Sequence, residues 1–142
     1  MPDIRHKLAI HAKPGTVYAN LTSIEGLAGW WTPDTSGKTE VGGVLRFGFG
    51  PEYFKEMKVV SLQPGKKVVW ECLKATSEWV GTRLEFDFGP DGEKTTLVFS
   101  HSNWGSYTPM FAQCSYDWAM FLKSLKQLCE KGKGSPFPGQ HQ

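Results

Sequence analysis

The chain has 142 residues, enough for one well-cored domain and too few for two. Sixteen Lys and Arg against 14 Asp and Glu leave a net charge of +2 with no basic run, which excludes nucleic acid and an anionic membrane as main partners. Cys72, Cys114 and Cys129 form no CxxC pair and no apolar run reaches the ~18 residues of a membrane span, so a disulfide framework, a zinc knuckle and a transmembrane helix are excluded too. The N-terminal string MPDIRHKLAI has no hydrophobic signal core, and a reduced, cytoplasmic setting is expected. Nine Phe, 6 Trp and 4 Tyr come close in number to Leu, Ile and Val together. At ~150 to 250 Å² buried per ring, that is ample for a core and for the lining of a cavity.

In chain order, Ile4, His6, Leu8, Ile10 and Ala12 share one face of a period-two pattern with Arg5, Lys7 and His11 on the other, which predicts a half-buried strand. Pro14 ends it and opens a short helix to Thr22; Ser23 then caps a second helix from Ile24 towards Trp30. From Thr35 to Trp104, turns at Gly42-Gly43, Gly48 to Pro51, Pro64-Gly65 and Asp91-Gly92 divide about six antiparallel strands. Val68, Trp70 and Cys72 form one in-phase row; Leu84, Phe86 and Phe88 form the next, and Leu97, Phe99 and His101 a third.

After Tyr107 or Pro109 the period changes. Phe111, Cys114, Trp118, Phe121, Leu122, Leu125, Leu128 and Cys129 recur at three and four, the stripe of an amphipathic helix ~30 Å long, stopped by Gly132. The expected organisation is a single domain over 1–132 and an irregular tail over 133–142, rich in Gly and Pro. A helix with one apolar stripe and a sheet with one apolar face bury each other, so the class is α+β.

Four strings in this order resemble the START-like helix-grip (SRPBCC) superfamily, in particular the single-domain branch related to the activator of the 90-kDa heat-shock-protein ATPase. They are Ala12-Lys13-Pro14-Gly15-Thr16-Val17-Tyr18, Glu25-Gly26-Leu27-Ala28-Gly29-Trp30-Trp31-Thr32-Pro33, Thr96-Leu97-Val98-Phe99-Ser100-His101, and the run from Trp118 to Lys126 followed by Glu130 to Pro136. The resemblance implies a curved antiparallel sheet of about seven strands wrapped around a long C-terminal helix, with two short helices after strand one. It also implies one of three functions: carriage of a hydrophobic ligand, a cyclase or aromatase reaction, or activation of a 90-kDa chaperone ATPase. The eukaryotic co-chaperone of that family carries a separate N-terminal domain, for which 142 residues leave no room.

The expected site is a space between sheet and long helix, binding a small hydrophobic or aromatic ligand. Its expected lining is Trp31, Tyr53, Trp70, Phe86, Phe99, His101, Met110, Phe111, Cys114 and Trp118, with Tyr116 a further polar contact. Trp30 and Trp31, being adjacent, are expected to point in different directions, one into the core and one at the cavity mouth. His101 lies in phase with apolar neighbours, where burial perturbs its proton affinity; it is either a structural histidine or the ligand's orienting contact, and the only proton-transfer candidate if the protein is an enzyme. No nucleophile with its base and no paired carboxylates stand out, so no catalytic residue is assigned otherwise. His6 and His11 fall on opposite faces and no HxH or HExxH occurs, so neither a metal nor another cofactor is expected. Arg83, Glu85 and Asp87 read as a solvated face. The partners expected are a small hydrophobic ligand or, alternatively, a chaperone, with the protein a monomer or homodimer.

Overall fold

The alternation from Ile4 onward forms strand β1 (Ile4–Ile10), with Ile4 and Ile10 buried and Arg5 and Lys7 exposed. The computed structural model describes residues 2–141. Helix α1 (Pro14–Leu21) carries its proline in the first turn. Helix α2 (Ile24–Trp30) starts at Ser23, whose side chain accepts a hydrogen bond from the Gly26 amide at 3.0 Å.

Six strands follow as a meander: β2 (Thr35–Gly37), β3 (Val44–Gly48), β4 (Phe54–Gln63), β5 (Lys67–Lys74), β6 (Arg83–Asp91) and β7 (Lys94–Ser102). β1 pairs antiparallel with β7, giving one seven-stranded sheet in the order β1-β7-β6-β5-β4-β3-β2. The three aromatic rows lie in register: Val68 opposite Phe86, Phe86 opposite Phe99, and Leu84 between Trp70 and His101. On the other face Lys67 pairs with Glu85 at 3.6 Å and Asp87 at 3.4 Å. Register shifts between Glu56 and Met57 and between Val59 and Ser61 mark irregularities in the β4–β5 pairing, the kind of interruption that bends a sheet.

Helix α3 (Pro109–Lys131) begins where Thr108 Oγ1 accepts from the Phe111 amide at 3.1 Å, and stops at Gly132, whose φ of 79° favours glycine. It leans on one margin of the sheet. Of the seven strands only β1 comes within 8 Å of α3, Cα to Cα. There Lys126 Nζ donates to the Ala9 carbonyl at 2.6 Å, and the His6 ring meets the Ser115 carbonyl at 3.1 Å. Towards β3 and β4 the backbones diverge, and long side chains must span the gap. Trp118 reaches Phe99 at 4.4 Å between ring centroids and Trp31 at 5.1 Å. The aromatic composition is what an interior of this wedge shape needs, because Leu or Val is too short to bridge it.

The segment after Gly132 is irregular yet anchored. The Ser135 amide donates to Ser124 Oγ on α3 and the Phe137 amide to the Trp31 carbonyl, both at 2.7 Å. The Phe137 ring packs edge-on against Phe49, 5.2 Å between centroids.

Candidate functional site

At the open side of the wedge, away from β1, a pocket of about 180 Å³ is left unfilled. Five parts of the chain build it. Trp31 enters as α2 ends; Phe49 and Tyr53 come from the β3–β4 connection and Lys55 from the start of β4; Trp79 hangs from the β5–β6 connection. Cys114, Asp117, Trp118 and Phe121 face it from successive turns of α3, and Phe137 and Gln140 close it from the tail.

The deepest ring is Trp31. It lies parallel to Trp30 at 5.8 Å and to Trp70 at 6.0 Å, each with an interplanar angle of 10°. The two adjacent indoles therefore stack, with Trp31 bordering the pocket and Trp30 buried behind it. The reason is local: Trp30 is the last residue of α2 and Trp31 its C-cap, so the backbone turns between them and brings the second indole over the first. Trp30 donates its indole N–H to the Asn20 carbonyl at 3.0 Å, tying α2 to α1.

The expected lining residues divide into three groups. Trp31, Tyr53, Cys114 and Trp118 border the pocket. Trp70, Phe86, Phe99 and His101 are fully buried beneath it, where the sheet is covered by other rings. Met110 and Phe111 sit one to two turns earlier on α3, beyond the pocket's end: Met110 Sδ accepts from Thr76 Oγ1 at 3.3 Å, and Phe111 packs edge-on against Trp104 and Tyr107. Tyr116 is exposed and stacks on His141.

His101 is held at both ring nitrogens. The Trp118 indole N–H can only donate, so Nδ1, 3.1 Å away, is the bare nitrogen. Nε2 then carries the proton and donates to Thr82 Oγ1 at 2.8 Å, and that hydroxyl donates onward to the Trp79 carbonyl. The edges and faces of Trp79 and Trp104, at 4.5 and 5.0 Å, complete the enclosure. Burial, reinforced by the charge of Lys55, pushes the imidazole pKa down to about 3, so the ring is neutral through the physiological range. Such a histidine positions Trp118 and Trp79, two walls of the pocket, without reaching its space.

Polar groups in the pocket wall are few. Burial raises the Cys114 thiol above the usual range, and its sulfur accepts from Trp79 Nε1 at 3.3 Å. Asp117 is turned to the rim, 3.0 Å from His141 Nε2 and 3.3 Å from Gln113 Nε2. Among the described residues no group of three His, Cys, Asp or Glu is placed to hold a metal. No helix among the described residues is long and apolar enough to cross a membrane.

The expected lining omitted Phe49, Lys55, Trp79, Asp117, Phe137 and Gln140, and also Phe121, although the helical stripe had already placed that ring on the inward face. Phe49 and Trp79 lie in connections, where no periodicity assigns a direction, and Phe137 lies in a tail whose composition signals only irregularity. The one available signal was the isolated large ring of Phe137 between two prolines.

Residues 11–130 match the family model described as activator of Hsp90 ATPase homolog 1-like protein. The chain belongs to that family. Its fold is shared with the Aha1 dimer of Colwellia psychrerythraea, solved in solution, at 38% identity and a TM-score of 0.87 over 94% of this chain and 100% of that one. A conserved protein of unknown function from Enterococcus faecalis is 25% identical with a TM-score of 0.75, covering 96% of this chain and 75% of that one. CalU16 from Micromonospora echinospora, 16% identical, shares the fold alone, at a TM-score of 0.75 over 98% of this chain and 79% of that one. No curated protein matches the chain. The family's helix-grip architecture is thus present: seven antiparallel strands in one sheet, two short helices, and a long C-terminal helix packed against the sheet.

Proposed function

We propose that this member of the Hsp90 ATPase activator homologue family binds a small aromatic or hydrophobic molecule in the pocket beside α3. The observation that carries the reading is an unfilled space of about 180 Å³ walled mainly by rings. Leaving apolar walls without a partner forfeits dispersion contacts, and a cavity of ~150 Å³ is large enough for a benzene ring. Trp31, Tyr53, Cys114 and Trp118 contact the ligand in this reading, joined by Phe49, Trp79 and Phe137; Trp70, Phe86, Phe99 and His101 support those walls from behind. The three cysteines, all unpaired, favour a reducing, cytoplasmic setting.

Native mass spectrometry of the purified protein, followed by displacement of an environment-sensitive dye with single-ring compounds, tests it. Saturable displacement is expected in the wild type and its loss in a folded Cys114→Phe variant, which places a ring in the space. Absence of any bound or bindable compound would retire the proposal.

A second reading follows from the family's description: activation of a 90-kDa chaperone ATPase. It predicts enrichment of that chaperone in a pull-down and faster ATP hydrolysis on addition of this protein; neither effect is expected if the pocket alone is the functional site.

A further inference from the structure

Among the described residues Lys55 is the one cation in the pocket wall, and it is held in place by aromatic faces. Its Nζ lies 4.0 Å from the ring centroid of Trp79, 4.6 Å from that of Tyr53 and 4.9 Å from that of Phe49. Ring faces attract an ammonium and fix its position, but they accept no conventional hydrogen bond. Of the three N–H donors on Nζ, one goes to Tyr53 Oη at 3.0 Å. That oxygen also accepts the Thr76 amide at 3.1 Å, so the phenol is saturated as an acceptor while its own O–H proton has no acceptor among the described residues. Lys55 also forms no ion pair among them; the pocket's carboxylate, Asp117, is engaged at the rim with His141 and Gln113.

Around Lys55 and Tyr53 the wall therefore has a local surplus of donors and of positive charge, set among rings in a space of single-ring size, while Gln140 Oε1, elsewhere in the same wall, is a buried acceptor without a partner among the described residues. The chemical complement is an acceptor with one negative charge attached to a flat apolar body. Resting on the reading that the pocket binds an aromatic molecule, we propose that its ligand is a small aromatic carboxylate. The ring lies against Trp31 and Trp118, and the carboxylate oxygens accept charge-assisted hydrogen bonds from Lys55 Nζ and the Tyr53 hydroxyl. A monoanion is favoured over a phosphate ester, because a single ammonium offsets one charge and Asp117 at the rim repels a second.

Matched pairs that differ only in charge test this on the full-length protein at neutral pH: benzoate against benzamide, indole-3-carboxylate against indole-3-carboxamide, with phenyl phosphate as a third arm. Calorimetry and tryptophan fluorescence read the affinities. Each acid is expected to bind about tenfold more tightly than its amide, an advantage that shrinks with added salt and disappears in Lys55→Met. Tyr53→Phe, which keeps the ring and removes the hydroxyl, is expected to retain part of the preference, and it stands in for the lysine variant should that one fail to fold. Amides binding as tightly as acids would overturn the anion selectivity and leave aromatic binding standing. Phenyl phosphate binding more tightly than benzoate would overturn the choice of a carboxylate. If no member of the panel binds, both this inference and the aromatic-pocket reading fall.

Discussion

His101 shows how a residue chosen for chemistry serves architecture. Its neutral ring accepts from Trp118 and donates to Thr82, so one imidazole fixes two elements that border the pocket. In the unfolded chain a histidine titrates near ~6.5, whereas here protonation waits until about pH 3. The unfolded state therefore binds more protons than the folded one between these values, and stability falls as pH drops through that window. The contribution is complete above about pH 6.5 and progressively lost below it. Chemical denaturation between about pH 5 and 6 should show a slope near 1 kcal/mol per pH unit from this group, absent in His101→Gln. Trp118→Phe, which leaves Nδ1 buried without its donor, should cost about 1–3 kcal/mol, read from urea midpoints at neutral pH. An unchanged pH slope in the first variant would mean that His101 is solvated.

Among the elements, the tail after α3 is the one whose role composition hides. Gly134 lies so close to its seat that an added Cβ would stand 2.5 Å from the Gly29 carbonyl oxygen and 2.9 Å from that of Ser124. Both are backbone atoms and neither can swing aside. Gly134→Ala should lift the tail, withdraw Phe137 and Gln140 from the pocket, and weaken binding of an aromatic probe several-fold. The sheet and α3 should persist, since Ser124 lies inside the helix and the tail contributes no strand. Circular dichroism close to wild type, together with a raised dissociation constant, is the expected pair of results; undiminished binding would show that the tail is not a wall of the site.

For the whole molecule, the wedge explains both the composition and the pocket. α3 is pinned to β1 and separated from β3 and β4, so the interior widens across the sheet and is filled by indoles and phenyls until, at the open side, it is not. Assembly is a further property at this scale. The sequence leaves monomer and homodimer both open. Light scattering behind size exclusion distinguishes the chain mass of 15.9 kDa from its double.

The elements and their inward faces were legible in the sequence because each depends on local period and turn chemistry. The β5–β6–β7 rows, the Ser23 cap and the stripe on α3 are visible in consecutive residues, and the helix-grip class follows from how such faces must be buried. Only the tertiary structure decided which inward residues meet solvent-sized space. Phase assigns a side chain to a face without fixing its depth, so Phe86 and Phe99 are on the inward face of the sheet yet lie beneath the pocket-lining rings, which come from α2, the connections, α3 and the tail. The same limit hid Lys55 and Phe137. A cation among three rings, and a tail ring over a hairpin, come from segments far apart in the chain; no pattern along the sequence encodes where a divergent helix and sheet leave room.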